Sequence, residues 1–218
     1  MKRAVIFANG ELNLSPELRN EIQADDLIIA ADGGALHCRK LGIKPQVVIG
    51  DFDSLQDEDL NTLQAEGAQL LRFPTRKNET DLELAFQYAR QRSCQEVLLI
   101  AALGERWDMS LANIFLTAHP AYQGMHVRLV DNHQELMLLH SGESLSLAGQ
   151  LGDTLSLIPL STRAQGITTQ GLEYALANED LEFGSPRGVS NVFTAESVII
   201  SLREGLMVCV VIHNGGTT

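Results

Sequence analysis

The chain has 218 residues, of which 44% are hydrophobic and 20% charged, a composition typical of a folded globular protein. Its formal net charge of −12 excludes a general nucleic-acid binder, because affinity for phosphate backbones comes from clustered lysine and arginine. The three cysteines form no Cys-x-x-Cys pair, and no apolar stretch approaches the ~20 residues of a membrane span. We therefore expect reduced thiols, a cytoplasmic location, and neither a signal peptide nor an anchor.

The first half of the chain, residues 1–131, alternates short apolar runs with helical patterns, which predicts parallel strands joined by crossover helices in a Rossmann-like α/β domain. We expect strands at 4–8, 27–31, 47–49, 68–73, 96–102 and 126–130. We expect helices near 16–23, 34–41, 57–66, 81–89 and 110–118. The fourth helix is the best supported, because Thr80 and Glu83 fit a capping box ahead of an apolar face.

The second half, residues 132–218, has short strand-like runs separated by turn residues, a rhythm typical of an antiparallel sandwich or barrel. The expected strands are 135–139, 144–147, 154–158, 164–168, 192–202 and 206–213. No amphipathic pattern of helix length stands out here. We therefore predict a second, β-rich domain that begins at residue 132.

Gly50-Asp51-Phe52-Asp53-Ser54 places two carboxylates directly after an apolar strand. In an open α/β sheet, ligands bind at the carboxyl ends of the strands, and Mg²⁺ prefers carboxylate oxygens completed by water and substrate phosphates. The alternative is that Asp51 caps the following turn and Asp53 is solvated. Because other aspartates also follow strands, we favour a magnesium site.

A second candidate, Ala31-Asp32-Gly33-Gly34, joins a buried strand to a helix. Its glycines let backbone N–H groups approach a phosphate or ribose at the positive end of the helix. The alternative is a tight turn that needs glycine for geometry alone.

The segment Lys77-Asn78-Glu79-Thr80-Asp81 places a cation, two acids and a helix cap at the end of the fourth strand. Asp81 also has a structural explanation, since acids in a first helical turn are favoured by the helix dipole. Lys77 could equally be a solvated rim charge, and we interpret the neighbouring Arg72 and Arg76 as such charges.

The third candidate segment is Gly104-Glu105-Arg106-Trp107-Asp108, with Asn113 five residues further on. Arg106 is suited to neutralising a transferring phosphate. Trp107, the only tryptophan, would either stack on a heterocycle or anchor a loop.

Together with Gly188-Val189-Ser190-Asn191, these segments resemble the thiamine pyrophosphokinase family in order and spacing, over nearly the whole chain. The resemblance implies transfer of a diphosphoryl group from Mg-ATP to the hydroxyl of thiamine, giving AMP. It also implies an α/β domain followed by a β-sandwich domain, and a homodimer with active sites between its chains.

The resemblance also implies roles for individual residues. It assigns magnesium and the ATP phosphates to Asp51, Asp53 and Asp81, and a catalytic position in the site to Asp108. The resemblance also assigns nucleotide binding to eight residues: Asp32, Gly33, Gly34, Ser54, Lys77, Thr80, Arg106 and Asn113. Ser190 and Asn191 would contact thiamine or the partner chain.

This chain departs from the family pattern at Glu105 and Met109, where many bacterial members have glycine and histidine. The departure leaves two other functions open. One is a pyrophosphokinase for another hydroxymethyl heterocycle, such as a pterin. The other is a homologue that binds thiamine or a nucleotide without catalysis. Either Asp81 or Asp51 could accept the proton of the alcohol, or solvent could take it instead.

Overall fold

The computed structural model describes residues 2–215, without the side chains of residues 17 and 18. The chain divides into two compact units, Met1–Asn132 and His133–Thr218. The boundary predicted from the sequence, after residue 131, lies one residue from this division.

The first unit is built on six parallel strands. They are β1 (Arg3–Phe7), β2 (Leu27–Ala31), β3 (Val47–Gly50), β4 (Gln69–Arg72), β5 (Glu96–Ile100) and β6 (His126–Asp131). Their order across the sheet is β6-β5-β1-β2-β3-β4, and every neighbouring pair is parallel. The predicted parallel α/β half is therefore confirmed, and its strand ends differ from the prediction by at most two residues.

Five helices connect these strands: α1 (Pro16–Asn20), α2 (Gly34–Leu41), α3 (Asp57–Ala65), α4 (Asp81–Gln91) and α5 (Trp107–Thr117). Helix α3 starts after Gln56, whose backbone N–H donates to the Asp59 carboxylate. Helix α5 begins three residues before the predicted start. Among the described residues, no helix is long and apolar enough to cross a membrane.

The core of the first unit explains why its strands are almost continuously apolar. Helices and strands contribute to one buried cluster that includes Val5, Ile28, Val48, Leu63 and Leu98. Burial of each such side chain contributes about 1.5–3 kcal/mol. Strands covered by helices on both faces must be apolar on both faces, which is the pattern read in the sequence.

The strand order reverses direction at β1, because β2 lies on one side of it and β5 on the other. The connections after β1 and after β5 therefore leave the sheet in opposite directions and open a crevice between them. Doubly wound sheets bind their ligands at such a switch point.

The second unit contains eight antiparallel strands. They are β7 (Gln134–His140), β8 (Ser144–Ala148), β9 (Thr154–Pro159), β10 (Arg163–Gln170), β11 (Ala177–Glu182), β12 (Asn191–Val192), β13 (Ser197–Ser201) and β14 (Leu206–Ile212). Within this unit, the strand orders are β12-β9-β14-β7 and β11-β10-β13-β8. Side chains from both sets of strands form one core cluster, with Phe193, Leu155 and Ile200 among its members. The prediction that the second half of the chain is built from antiparallel strands is confirmed.

Two details of the second unit differ from the prediction. The expected strand 192–202 is split into β12 and β13 by a turn at residues 193–196. Strand β11 was missed because its sequence, Ala-Asn-Glu-Asp-Leu-Glu, has only one buried side chain, Leu181. An edge strand of this kind is held mainly by backbone pairing to β10, so hydrophobic alternation does not reveal it.

Candidate functional site

Three aspartates meet at the carboxyl ends of β2 and β3. Oxygen atoms of Asp32, Asp51 and Asp53 all lie within 4.8 Å of one another. Asp32 is only 4% exposed, and among the described residues its buried Oδ1 has no hydrogen-bond partner. A buried carboxylate oxygen without a partner is costly, and a bound cation would satisfy it. The chemistry of this cluster therefore fits a divalent metal such as Mg²⁺.

The backbone at the same edge adopts an unfavourable conformation at three strand ends. Asp32, Phe52 and Ala101 have φ values of 45°, 66° and 56°. A non-glycine residue in this left-handed region costs about 1–3 kcal/mol, and such strain concentrates at functional sites. Gly50 is tightly enclosed here, because a Cβ would lie 3.1 Å from the Asp32 Cβ and 3.3 Å from the Asp81 Cγ.

Lys77 links the acidic cluster to Asp81 at the start of α4. Its Nζ lies 2.9 Å from Asp81 Oδ1 and 4.0 Å from Asp51 Oδ2, and it donates a hydrogen bond to the Pro74 carbonyl. Burial raises the pKa of Asp81 and Lys77 opposes the rise, while the charges of Asp51 and Asp32 add to it. One lysine beside four carboxylates leaves this edge with excess negative charge.

A cleft of about 780 Å³ opens over these residues and over the switch point of the sheet. Its lining includes Asp32, Asp53 and Asp81 and several of the other predicted residues: Ser54, Lys77, Thr80, Arg106 and Asn113. The structure therefore gathers most of the sequence-predicted residues of the first unit around one cavity.

The segment after β1 also lines the cleft, and the sequence analysis missed it. Asn9 donates through Nδ2 to Asp32 Oδ2 at 3.4 Å and to Ser54 Oγ at 3.2 Å. Gly10 and Glu11 line the same cavity. These residues directly follow the expected strand 4–8, and that position could have identified them as part of the site. They were missed because none of them is an aspartate, the residue type that marks the other strand ends.

The glycines after β2 are required by close packing. A Cβ at Gly34 would lie 2.1 Å from the Phe7 carbonyl oxygen, and one at Gly33 would lie 2.1 Å from Asn9 Oδ1. These contacts support the interpretation as a tight turn. A role of either glycine in nucleotide binding stays a prediction.

Arg106 and Asp108 form an exposed ion pair with each other, with 2.6 Å between Arg106 Nη2 and Asp108 Oδ2. The hydrogen bond from Arg106, helped by the backbone N–H of Met109, lowers the pKa of Asp108. Arg106 lines the cleft and Asp108 does not. The catalytic role assigned to Asp108 stays a prediction.

Asn113 and Ser110 shape the loop between β5 and α5. The buried Asn113 donates through Nδ2 to the Ala102 carbonyl at 2.7 Å. Ser110, which the sequence analysis missed, accepts a hydrogen bond from the Gly104 N–H at 3.1 Å. Both residues therefore hold the wall of the cleft from the helix behind it.

The exposed face of α5 is apolar. Trp107, Leu111 and Phe115 are 81%, 52% and 53% exposed, and their spacing of four residues places them on one side of the helix. The alternative in which Trp107 anchors a loop is not supported, because an anchoring side chain would be buried.

Ser190 and Asn191 lie in the second unit, where the Ser190 backbone N–H and the Asn191 side chain already have local partners. The Ser190 N–H donates to Ser156 Oγ at 3.1 Å. Asn191 accepts through Oδ1 from the Tyr174 N–H at 3.0 Å and donates through Nδ2 to the Tyr174 carbonyl at 2.7 Å. Their predicted contact with thiamine or a partner chain stays a prediction.

Both halves of the chain match known families. Residues 18–129 match the family model described as thiamin pyrophosphokinase, catalytic domain, and residues 144–207 match thiamin pyrophosphokinase, vitamin B1 binding domain. The thiamine pyrophosphokinase of Bacillus subtilis is 27% identical over 96% of this chain and 98% of its own length. Thiamine pyrophosphokinase 2 of Arabidopsis thaliana is 26% identical over 79% of this chain and 67% of its own.

Solved structures agree with these sequence matches. The crystal structure of a thiamin pyrophosphokinase family protein from Enterococcus faecalis is 26% identical, with a TM-score of 0.84 over 98% of this chain and all of the other. The thiamine pyrophosphokinase structure from Bacillus subtilis has a TM-score of 0.87 over the same shares at 24% identity, which shows the fold alone.

Proposed function

Because the chain belongs to the thiamine pyrophosphokinase family, we infer that it is an enzyme that transfers a diphosphoryl group from ATP to the hydroxyl of thiamine. The products are thiamine diphosphate and AMP. The two alternatives, a pterin pyrophosphokinase and a non-catalytic binding homologue, are not favoured, since the catalytic and the vitamin B1 binding halves both match.

We also propose that the reaction depends on Mg²⁺, held by Asp51 and Asp53 together with Asp32 or Asp81. The single observation that supports this most strongly is the cluster of three carboxylates with an unpartnered, buried Asp32 oxygen among the described residues. Bound there, Mg²⁺ would offset the repulsion between these carboxylates and the phosphates of ATP. The protein contributes mainly position and charge, as is usual in phosphoryl transfer.

The remaining residues of the cleft would orient the nucleotide. In this proposal Lys77 and Arg106 neutralise phosphate charge, while Asp32, Ser54, Thr80 and Asn113 line the path of the nucleotide. Gly33 and Gly34, at the start of α2, would meet the nucleotide through their backbone N–H groups. Asp108 stays a candidate catalytic residue.

Proton removal from the thiamine hydroxyl stays open between Asp81 and Asp51. Burial raises the pKa of Asp81, so it is a stronger base than an ordinary aspartate. The excess negative charge of this edge suits the thiazolium cation of thiamine. We propose that Ser190 and Asn191 contribute to thiamine binding from the second unit.

The test is to incubate the purified protein with Mg-ATP and either thiamine or a hydroxymethyl pterin, and to quantify AMP and the diphosphorylated product. We expect AMP with thiamine and not with the pterin.

Asp51→Asn and Asp53→Asn should each lower kcat by at least about 10²–10³-fold while the circular dichroism spectrum is retained. Asp25→Asn, an exposed acid outside the cleft, is the matched control. Full activity in both variants would contradict the metal assignment, and AMP formation with the pterin alone would contradict the substrate.

We further propose a cytoplasmic homodimer. The exposed apolar face of α5 supports self-association, because contiguous apolar surface of this kind marks contact sites. The three cysteines are free and buried, which is compatible with a reducing compartment.

A further inference from the structure

The loop that carries Asp51 and Asp53 turns at Phe52, a residue poorly suited to that turn. Phe52 has a φ of 66°, in the left-handed region that favours glycine, yet its ring is 4% exposed. The Asp53 N–H donates to Asp51 Oδ1 at 3.2 Å across this turn. The left-handed turn therefore keeps oxygen atoms of Asp51 and Asp53 within 4.8 Å of each other, and this strained conformation needs supporting contacts.

Arg72 makes two contacts with this turn from the end of β4. Its Cζ lies 4.8 Å from the centroid of the Phe52 ring, and its Nη1 donates to the Asp51 carbonyl at 3.0 Å. The backbone also holds the end of β4 beside the metal-binding loop. Arg72 pairs with Gly50 across the two strands, and the Phe73 N–H donates to the Gly50 carbonyl at 2.8 Å. The interpretation of Arg72 as a solvated rim charge is therefore wrong, because its side chain is engaged although exposed.

We propose that Arg72 is a positioning residue for the metal-binding loop: it stacks on Phe52 and binds the Asp51 carbonyl, and so keeps Asp51 and Asp53 aimed at one divalent cation. This inference rests on the proposed function, because it assumes the metal site. The planar guanidinium is essential to it, since a lysine ammonium can neither stack on the ring in this way nor keep the same directed hydrogen bond.

The charge of Arg72 and its contacts have opposite effects on cation binding. A positive charge beside the site repels a cation, so removal of the charge alone would tighten binding. Loss of the contacts frees the strained turn and separates the carboxylates, which weakens binding. The direction of the change in affinity therefore distinguishes the two effects.

The experiment measures Mn²⁺ binding to the full chain without nucleotide, by electron paramagnetic resonance of the free ion. We expect Arg72→Gln to raise the dissociation constant about five- to tenfold, as expected for loss of one stacking contact and one hydrogen bond. Arg72→Lys, which keeps the charge, should also weaken binding. The matched control is Arg92→Gln. Arg92 follows the C-terminal end of α4, away from Asp81, and its Cζ lies 4.8 Å from the centroid of the Tyr88 ring, the same distance as for Arg72 and Phe52.

Two further measurements separate positioning from a general loss of structure. Hydrogen exchange of the metal-free protein should become faster in a peptide covering residues 50–55 of Arg72→Gln and stay unchanged elsewhere. Urea unfolding should give the same midpoint for Arg72→Gln and wild type within a few tenths of a molar, because Arg72 is exposed.

Unchanged or tighter Mn²⁺ binding by Arg72→Gln would overturn the role of Arg72 and leave the metal site standing. Failure of the wild-type protein to bind Mn²⁺ would overturn both the metal site and this inference. The reaction itself is decided separately, by AMP formation from ATP and thiamine.

Discussion

At the scale of one residue, the ionised carboxylate of Asp81 lowers the stability of the folded protein because it lies in the binding site. It is held in a partly buried position by Lys77, near the charges of Asp32 and Asp51, and burial raises its pKa. Because the folded-state pKa lies above the ordinary value of 3.8, the stabilising contribution of protonated Asp81 is complete at low pH and is lost as pH rises through the raised pKa. A bound cation would compensate for that loss.

Asp81→Asn should therefore stabilise the metal-free protein while reducing turnover. We expect Tm in EDTA at pH 7 to rise by about 1–3 °C, because the neutral amide removes a partly buried charge that the charges of Asp51 and Asp32 repel. Addition of Mg²⁺ should narrow the difference, since a cation stabilises the wild-type carboxylate more than the neutral amide. Differential scanning calorimetry checks both effects, with Asp25→Asn as the exposed control. A fall in Tm of the metal-free variant would show that the ion pair with Lys77 outweighs the cost of burial.

At the residue scale, the sequence pointed to the carboxylates that cluster in the structure but not to the polar side chains that contact them. Asp32, Asp51 and Asp53 were found because a carboxylate after a strand is itself unusual. Asn9 was missed and Arg72 was interpreted as a solvated rim charge, because an amide and an arginine are ordinary residue types at the surface. Only their contacts, with Asp32 in one case and with Phe52 in the other, reveal their roles.

Helix α4 illustrates the element scale, since one residue both starts the helix and lines the cleft. Thr80 Oγ1 accepts a hydrogen bond from the Glu83 N–H at 3.1 Å, so Thr80 is the N-cap and its half of the predicted capping box is confirmed. The helix then buries Leu82, Ala85 and Phe86 against the sheet. Because Asp81 is the first residue of α4, the cap also fixes where that carboxylate lies.

Thr80→Ala should lower the free energy of unfolding by about 0.5–2 kcal/mol through loss of the cap. Thr80→Ser keeps a hydroxyl at the same place and should restore most of that stability. Urea unfolding measures the effect, and the KM for ATP measured on the same variants tests the second role. If Thr80→Ser restores stability but not KM, the methyl group of threonine also contributes to nucleotide binding. If Thr80→Ala leaves stability unchanged, the cap contributes nothing measurable.

At the scale of the whole molecule, the face of α5 with Trp107, Leu111 and Phe115 is an apolar surface that is exposed to solvent. Helix faces in a monomeric α/β domain are normally polar on the solvent side. An uncovered face of three large apolar side chains favours association, which supports the proposed homodimer.

Phe115→Ser should shift the protein from dimer to monomer, measured by size-exclusion chromatography with light scattering. Trp107 is the only tryptophan and reports the same event, since its emission should move to shorter wavelength as the dimer forms. Leu151→Ser, which changes an even more exposed apolar residue in the second unit, is the control and should not alter the mass. A wild-type protein that is monomeric at high concentration, with red-shifted tryptophan emission, would contradict the homodimer.

The sequence by itself determined the order of strands and helices in the first unit, the change of architecture near residue 131 and the acidic strand ends, because each is a local pattern of hydrophobicity, turn chemistry or charge. It also determined the family, through motifs such as Gly50-Asp51-Phe52-Asp53-Ser54. Only the tertiary structure decided that Asp32 joins Asp51 and Asp53 in one cluster, and that Arg72 lies over Phe52. These contacts join residues on different strands, and the lateral order and register of strands in a sheet depend on packing of the whole core rather than on any single segment.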